Sequence, residues 1–351
     1  MKKLVAFLLT VIILSGALIS CATSQSGEAY DPNSSLITED VASAEKSAAS
    51  CVTHDYELTD TVHARALAEG SRIYSCKNCG ATKSEPIPAT GKISVLAIGN
   101  SFTQDSMEFL WQLCNAAEGI ESVKLGYLFI GGSSLQNDMI NIHSGAKSYT
   151  YYKNTTGTWE TSQSSIALAL EDDDWEIVVL RNYGVSLFTE SNVWLRLDGI
   201  VDFIRQKEPQ AQLYWHATWA YEQEHLDENY ADTVKDQAQA YAAIVEMVQK
   251  KIVARGDFEA IIPCVSSVQN MRTSYLASSM TRDGYHLSFD IGRYVAGLTW
   301  FCTVTGASPE ATDWVPESSS YIKLHLPVIR EAVANALKYP FEITKSSYPT
   351  Y

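Results

Sequence analysis

The sequence predicts a three-layer α/β fold, in which helices cover both faces of a five-stranded parallel sheet. Between the candidate strands, apolar residues recur at helical spacing and predict helices, among them one over 103–117 and one over 238–252. Short apolar strands that alternate with helices favour a parallel sheet that is buried on both faces. In such a sheet, sites lie beyond the carboxyl ends of the strands. The five apolar runs typical of buried strands lie at 93–98, 123–130, 177–180, 213–215 and 260–262.

Composition and charge indicate a globular protein and argue against nucleic acid as a partner. The 351 residues are 46% apolar and 19% charged, which is typical of a globular protein with a full core. The formal net charge is −15, and no basic stripe is interleaved with aromatic residues. A surface with this net negative charge repels polyanions, so we do not expect the protein to bind nucleic acid.

The first 50 residues predict export and anchoring. Lys2 and Lys3 precede an apolar run over 4–19 that is too short for a membrane span, so residues 1–20 are typical of a signal peptide. The motif LISC at 18–21 resembles a lipobox, which implies cleavage before Cys21, lipidation of its thiol and a protein exported to the membrane surface. In the alternative, this is an ordinary secretory signal and Cys21 is incidental. Residues 21–50, rich in Ser, Ala and acidic residues, predict a flexible tether.

A small module over 51–91 carries two Cys/His pairs. Cys51 and His54 form one pair, and Cys76 and Cys79 form the other. Two pairs on tight turns about twenty residues apart suit a closed, tetrahedral, structural Zn²⁺ site, which would supply folding energy where apolar residues are few. The alternative is disulfide bonding in an exported chain, although three cysteines cannot all pair among themselves. The motifs YSCKNCG and EPIPATG resemble small Cys/His repeats of bacterial surface proteins, which implies a zinc-ribbon-like module.

Two motifs at opposite ends of the main region can form a nucleophilic site. Ser101 follows the first strand and opens a helix, a position that projects a hydroxyl above the sheet; the alternative role is helix capping. Asp283 stands three residues before His286, which places both on one side of a turn; the alternative is a surface pair. A serine nucleophile needs an adjacent base that a third group orients, and these three residues supply those roles.

These motifs resemble the blocks of the SGNH (GDSL-like) hydrolases. GNSF at 99–102 is similar to the first block, GGSS at 131–134 to the second and DGYH at 283–286 to the last. The stretch 93–306 resembles a family of secreted bacterial SGNH-like domains without an assigned function, and we place the domain at 92–345. The resemblance implies that Ser101 attacks an ester, His286 takes its proton and Asp283 holds the imidazole. It also implies an oxyanion hole that includes the N–H groups of Ser101 and Gly132.

The third block departs from the family pattern, which places an Asn side chain in the oxyanion hole. The chain has LRNYGVS at 180–186, where Asn182 is the favoured match and Ser186 the alternative. Three further residues are candidates for substrate contact: His216, which can instead be a packed structural histidine, Trp219, and Arg272, which can instead form a structural ion pair. Aromatic side chains in WHATWAY at 215–221 are expected to be exposed and are compatible with sugar stacking.

The resemblance predicts a serine ester hydrolase that deacylates extracellular carbohydrate or a related ester and needs no catalytic cofactor. The alternatives are a surface lipoprotein that binds glycans on the same fold without turnover, and a scaffold that acts through the Cys/His module. Fold analogy alone does not choose among them, because function depends on the site.

Overall fold

The computed structural model describes residue 51 and residues 53–349. The predicted signal peptide, Cys21 and the tether lie outside the described residues. In the described part of the chain, no helix has the length and hydropathy that a membrane crossing requires.

The N-terminal module contains an antiparallel sheet of three strands. The strands are β1 (Tyr56–Val62), β2 (Gly70–Cys76) and β3 (Thr82–Ile87), paired in the order β1-β2-β3. Most side chains of β1 and β3 are exposed or half-buried, so the sheet has little apolar core of its own.

The main domain is built on a seven-stranded sheet of order β10-β9-β8-β4-β5-β6-β7. The five predicted strands are present and parallel, which confirms the predicted α/β fold. The edge pair β6 and β7 is antiparallel and was not predicted, because its sequences YTYYKN and ETSQS contain no apolar run. The strands are β4 (Lys92–Gly99), β5 (Ser122–Phe129), β6 (Tyr149–Asn154), β7 (Glu160–Ser164), β8 (Ile177–Leu180), β9 (Gln212–His216) and β10 (Ala260–Ile262).

Helices cover the sheet in two groups. One group packs α1, α2, α8, α9 and α10 together, and the other packs α3, α4 and α5 together. All of β8 and nearly all of β4 are buried, as expected for strands covered on both faces. The α-helices are α1 (Ser101–Met107), α2 (Leu110–Asn115), α3 (Leu135–Ser144), α4 (Ile166–Leu170), α5 (Leu197–Lys207), α6 (Gln223–Asn229), α7 (Gln237–Lys251), α8 (Cys264–Met271), α9 (Ile291–Thr305) and α10 (Ser320–Lys338).

The helix predicted over 103–117 is two helices. It begins at Ser101 and is interrupted at Glu108 and Phe109, after which α2 begins. Met107, Leu110 and the later apolar residues remain buried on both sides of the interruption, so the apolar periodicity alone does not reveal it. The helix predicted over 238–252 is α7.

Candidate active site

Ser101 lies at the carboxyl edge of the sheet, directly after strand β4, in a turn that Asn100 stabilises. Asn100 Oδ1 accepts a hydrogen bond from Phe102 N at 3.0 Å, which caps α1. Asn100 Nδ2 donates to Ser133 O at 3.0 Å. One buried amide therefore fixes the nucleophile turn and, at the same time, the glycine loop that follows β5.

The three predicted catalytic side chains form one hydrogen-bonded series. His286 Nε2 lies 2.9 Å from Ser101 Oγ, and His286 Nδ1 lies 2.7 Å from Asp283 Oδ2. Asp283 Oδ1 also accepts from His286 N at 2.8 Å. Partial burial raises the pKa of Asp283, but these bonds outweigh it and the net pKa is lowered, so the carboxylate is charged. A charged carboxylate favours the tautomer in which Nδ1 carries the proton and Nε2 faces the serine.

A buried carboxylate on the nucleophile helix holds the loop that carries Asp283 and His286. Asp105 lies one helical turn after Ser101 and is 1% exposed. Its carboxylate accepts from Leu287 N at 3.0 Å, from Arg282 Nη1 at 3.0 Å and from Arg293 Nε at 2.8 Å. Because Arg282 and Leu287 flank the acid–base pair, Asp105 sets the position of that pair relative to α1.

A second buried ion pair joins the other loops at the same edge. Arg181 Nη1 donates to Asp138 Oδ2 at 2.7 Å, and Arg181 Nη2 donates to Gly99 O at 2.9 Å. Asp138 Oδ1 accepts from Ser133 Oγ at 2.8 Å. Both charged side chains are almost fully buried. The loops after β4, β5 and β8 are therefore tied together around the nucleophile.

The predicted oxyanion donors differ in their placement. Gly132 is exposed in the loop after β5 and has a φ of +66°, a left-handed conformation that favours glycine. Asn182 is fully buried, and its Oδ1 accepts from Tyr183 N and Ser186 Oγ, while its Nδ2 donates to Ser186 O at 3.4 Å. The Ser186 hydroxyl also donates to Tyr183 O. Asn182 and the alternative Ser186 thus bond within their own loop.

The predicted substrate contact at His216 is corrected by its burial. His216 is 1% exposed, and its Nε2 lies 3.4 Å from Ser106 Oγ. Burial, followed by the nearby Arg181 charge, lowers the pKa of His216 to about 3, so the imidazole is neutral. The structure assigns it the packed role that the sequence left open.

Trp219 and Arg272 are also internal. Trp219 is fully buried and donates from Nε1 to Tyr285 O at 2.7 Å. This bond helps to hold the loop that carries Asp283 and His286. Arg272 Nη2 pairs with Glu222 Oε1 at 2.8 Å, the structural ion pair that the sequence left open. The tryptophan and tyrosine side chains of the 215–221 segment, predicted to be exposed, are buried, so direct sugar stacking on them is excluded.

Half-buried aromatic side chains that the sequence did not single out stand beside the site. The Tyr285 ring lies 4.0 Å from the His286 ring and stacks on His225 at 4.5 Å, measured between centroids. Tyr183 packs edge-on against Phe102 at 5.5 Å. Burial lowers the pKa of His225, with a smaller effect from His286. The sequence offers a signal for Tyr285, because it is next to the predicted catalytic residue His286. No local sequence pattern connects His225 to the site.

The Cys/His pairs of the module meet in one cluster that can hold a metal ion. The ligand atoms of Cys51, His54, Cys76 and Cys79 all lie within 4.8 Å of one another. Cys51 Sγ is 4.0 Å from Cys76 Sγ, and Cys79 Sγ is 3.4 Å from His54 Nδ1. A tetrahedron with Zn–S bonds of about 2.3 Å has edges of about 3.8 Å, so the spacing fits the ion. The sulfurs lie far beyond a disulfide bond length of about 2.05 Å.

The sheet order, the serine turn after the first strand of the domain and the Asp–His loop define an SGNH-like α/β domain. The chain belongs to the DUF4886 family, a domain of unknown function, whose model matches residues 94–332.

Solved structures similar to this chain include a DUF4886 family protein from Bacteroides uniformis. It is 34% identical, with a TM-score of 0.66, over 72% of this chain and 98% of its own. A protein from Parabacteroides merdae described as a GDSL-like lipase is 11% identical, with a TM-score of 0.39, over 61% of this chain and 95% of its own. A carbohydrate esterase family 2 enzyme from Corynascus thermopiles is 12% identical, with a TM-score of 0.34, over 68% and 72% respectively. No curated protein matches the chain.

Replacing Asp105 with Asn is expected to loosen the catalytic loop. The amide removes the carboxylate partner of Arg282 and the closer of the two carboxylate partners of Arg293. Breaking a buried ion pair costs about 3–5 kcal/mol, and we expect the lower end because both arginines are partly exposed. The melting temperature should fall by roughly 6–12 °C. Because small misplacements of reacting groups are costly, the rate of any reaction in which His286 activates Ser101 should fall roughly 100-fold.

Glu108→Gln is the matched control. Glu108 also lies next to α1 and contacts Arg293, but only at 3.4 Å and from a more exposed position. Calorimetry and ester hydrolysis of both variants check the prediction, and an Asp105→Asn protein indistinguishable from the Glu108→Gln protein would contradict it.

Proposed function

We propose that this chain is a serine ester hydrolase that removes acyl groups from extracellular carbohydrate or a related ester. The observation that carries the proposal is the series from Ser101 Oγ to His286 Nε2 at 2.9 Å and from His286 Nδ1 to Asp283 at 2.7 Å. A base within hydrogen-bond reach of the hydroxyl, itself oriented by a carboxylate, is what activates a serine.

In the proposed reaction, Ser101 Oγ bonds to the ester carbonyl carbon while its proton passes to His286 Nε2. The carbonyl electron pair moves onto the oxygen, which becomes an oxyanion near the Gly132 loop. The bond to the alcohol then breaks, and the imidazolium returns the proton to the leaving oxygen. Water, deprotonated by the same imidazole, then bonds to the acyl carbon. As the bond to Ser101 Oγ breaks, the imidazolium returns this proton to Oγ, so the acid is released and the serine is restored.

Charge pairing around the site favours an uncharged ester. The charged groups that act on His225 beside the triad include Asp283 and Glu228, which disfavour an anionic substrate. Half-buried Tyr183 and Tyr285 offer apolar ring faces with polar tips, which suit a neutral sugar or a similar alcohol. The arginines of the surrounding loops are already bound to carboxylates, in the pairs Arg181–Asp138, Arg272–Glu222 and Arg282–Asp105.

A glycan-binding protein without turnover is the second candidate. Its support is the internal bonding of Asn182, which leaves the third block without its expected donor. The two candidates make opposite predictions for the serine.

Replacing Ser101 or His286 with Ala is expected to abolish hydrolysis of p-nitrophenyl acetate. Loss of either nucleophile or base removes the activated alkoxide, so kcat should fall by at least roughly 10³-fold in each variant. A fluorophosphonate should label the parent chain and the His143→Ala control, because His143 lies exposed on α3 away from the triad. Labelling should be lost in Ser101→Ala.

Hydrolysis that survives in Ser101→Ala would contradict the proposed mechanism. An unlabelled and inactive parent chain that still binds acetylated polysaccharide would favour the glycan-binding candidate instead. Thermal melts of each variant separate a chemical loss from unfolding.

We further propose that the ion held by Cys51, His54, Cys76 and Cys79 is a structural Zn²⁺. Four soft or borderline ligands at tetrahedral spacing support zinc, and the full ligand set leaves no open position for catalysis.

Purified chain should contain one zinc per molecule, measured by elemental analysis. Cys76→Ser should lower the zinc content and destabilise the module, because metal binding contributes to its folding. Ester hydrolysis should be unchanged. Cys302→Ala removes a buried thiol of α9 and should leave the zinc content at the parent value. Full zinc retention in Cys76→Ser would contradict the assignment.

We propose that the exported protein acts while anchored to the cell membrane by a lipid on Cys21. The lipobox-like motif at 18–21 supports this proposal. In cell fractionation, Cys21→Ser should move the protein from the membrane pellet to the soluble fraction, since acyl chains supply the anchor. The neighbouring Ser24→Ala should remain in the pellet, and a membrane-bound Cys21→Ser protein would overturn the proposal.

A further inference from the structure

We infer that the Tyr183 hydroxyl is the side-chain donor of the oxyanion hole, in the role that Asn182 does not fill. The inference rests on the proposed ester hydrolysis. It concerns a catalytic residue, because the hydroxyl would touch the oxygen of the reacting carbonyl.

The need for another donor follows from the bonding of Asn182. Its amide accepts from Tyr183 N and from the Ser186 hydroxyl, and it donates to Ser186 O. The side chain is fully buried within this loop. Turning it toward the serine would break these bonds and leave buried polar groups unsatisfied, at a cost of about 1–3 kcal/mol for each group.

Tyr183 extends from the same loop, and its ring contacts both the Phe102 ring and the glycine loop. Its ring packs edge-on against Phe102, the residue after Ser101, with centroids 5.5 Å apart. A methyl group added at Gly132 would lie 3.6 Å from Tyr183 Cε1. The hydroxyl is two bonds from that atom, so it lies near the glycine loop, which the resemblance places at the oxyanion hole.

The Tyr183 hydroxyl keeps its proton at neutral pH. Burial and, to a lesser extent, Tyr230, Tyr285 and Asp283 raise the pKa of Tyr183. Among the described residues, none forms a hydrogen bond with this hydroxyl, so its proton is available to a substrate oxygen.

The chemistry requires this type of group at this place. When Ser101 Oγ bonds to the carbonyl carbon, the carbonyl oxygen gains a full negative charge. A neutral O–H that is fixed by ring packing can donate to that oxygen without reorganising, which is how preorganised donors lower the barrier. The tyrosine keeps its proton throughout, so the step adds no proton transfer to the mechanism.

Tyr183→Phe tests the inference, because it removes one oxygen atom and keeps the ring. We expect kcat for p-nitrophenyl acetate to fall roughly 100-fold with KM nearly unchanged, as for loss of one oxyanion donor. Inhibition by phenylboronic acid, which forms a tetrahedral adduct on a reactive serine, should weaken by a similar factor. Asn182→Ala should lower the melting temperature but should not reproduce the selective loss of boronate affinity.

Tyr152→Phe is the matched control. Tyr152 is a half-buried tyrosine of the edge strand β6, stacked on Tyr127, and its variant should match the parent in kcat and boronate inhibition. Parental kcat in Tyr183→Phe would overturn the inference, and so would a rise in KM alone, which would assign the ring to substrate packing. If the proposed function is wrong, the parent chain is inactive or its activity survives Ser101→Ala. If only this inference is wrong, the parent chain hydrolyses the ester through Ser101, and Tyr183→Phe keeps the parental kcat or changes KM alone.

Discussion

The geometry of the candidate active site depends on one buried carboxylate, that of Asp105. The bonds between Asp283 and His286 are local, since three residues separate them, but no local force places that pair over Ser101. Asp105 does so by accepting Leu287 N, at 3.0 Å, together with two guanidinium groups. A charged group with 1% exposure is stable only when it is paired in this way. The contacts that satisfy this buried charge therefore also bring His286 Nε2 within 2.9 Å of Ser101 Oγ.

The ion pair Asp138–Arg181 positions the glycine loop at 131–134 in a similar way. Because Arg181 also donates to Gly99 O, and Asp138 also accepts from Ser133, the loops after three neighbouring strands share one network. Such a network pre-organises a site, since every member is held by charge as well as by packing. It has a chemical consequence as well. The guanidinium groups of Arg181 and Arg282 pair with buried carboxylates, and the half-buried side chains beside the series include Tyr285 and His225.

Sequence patterns were sufficient for features with a local origin. Five buried strands are short apolar runs, and the residues of the Ser101, Asp283 and His286 series lie in two short motifs; the structure brings them together at hydrogen-bonding distances. Features that arise from long-range contact were not predictable in this way. In sequence, Asp105 looks like any acidic residue of a helix, because its burial depends on arginines far along the chain. Trp219 was expected at the surface after a strand end, but the catalytic loop covers it and accepts its N–H.

The two departures from the usual SGNH blocks have different physical explanations. At position 100 the usual Asp would accept from Phe102 N but could not donate to Ser133 O, whereas Asn100 does both. The change therefore adds a bond between the nucleophile turn and the glycine loop. At position 182 the family's residue type is present, but the turn at 184–187 draws its amide inward, where it stabilises the loop that presents Tyr183. Both departures affect how the oxyanion side of the site is built, and neither touches the activation of the serine. The two features are thus compatible with a serine activated by His286, because the histidine lies on an independent loop that Asp105 holds.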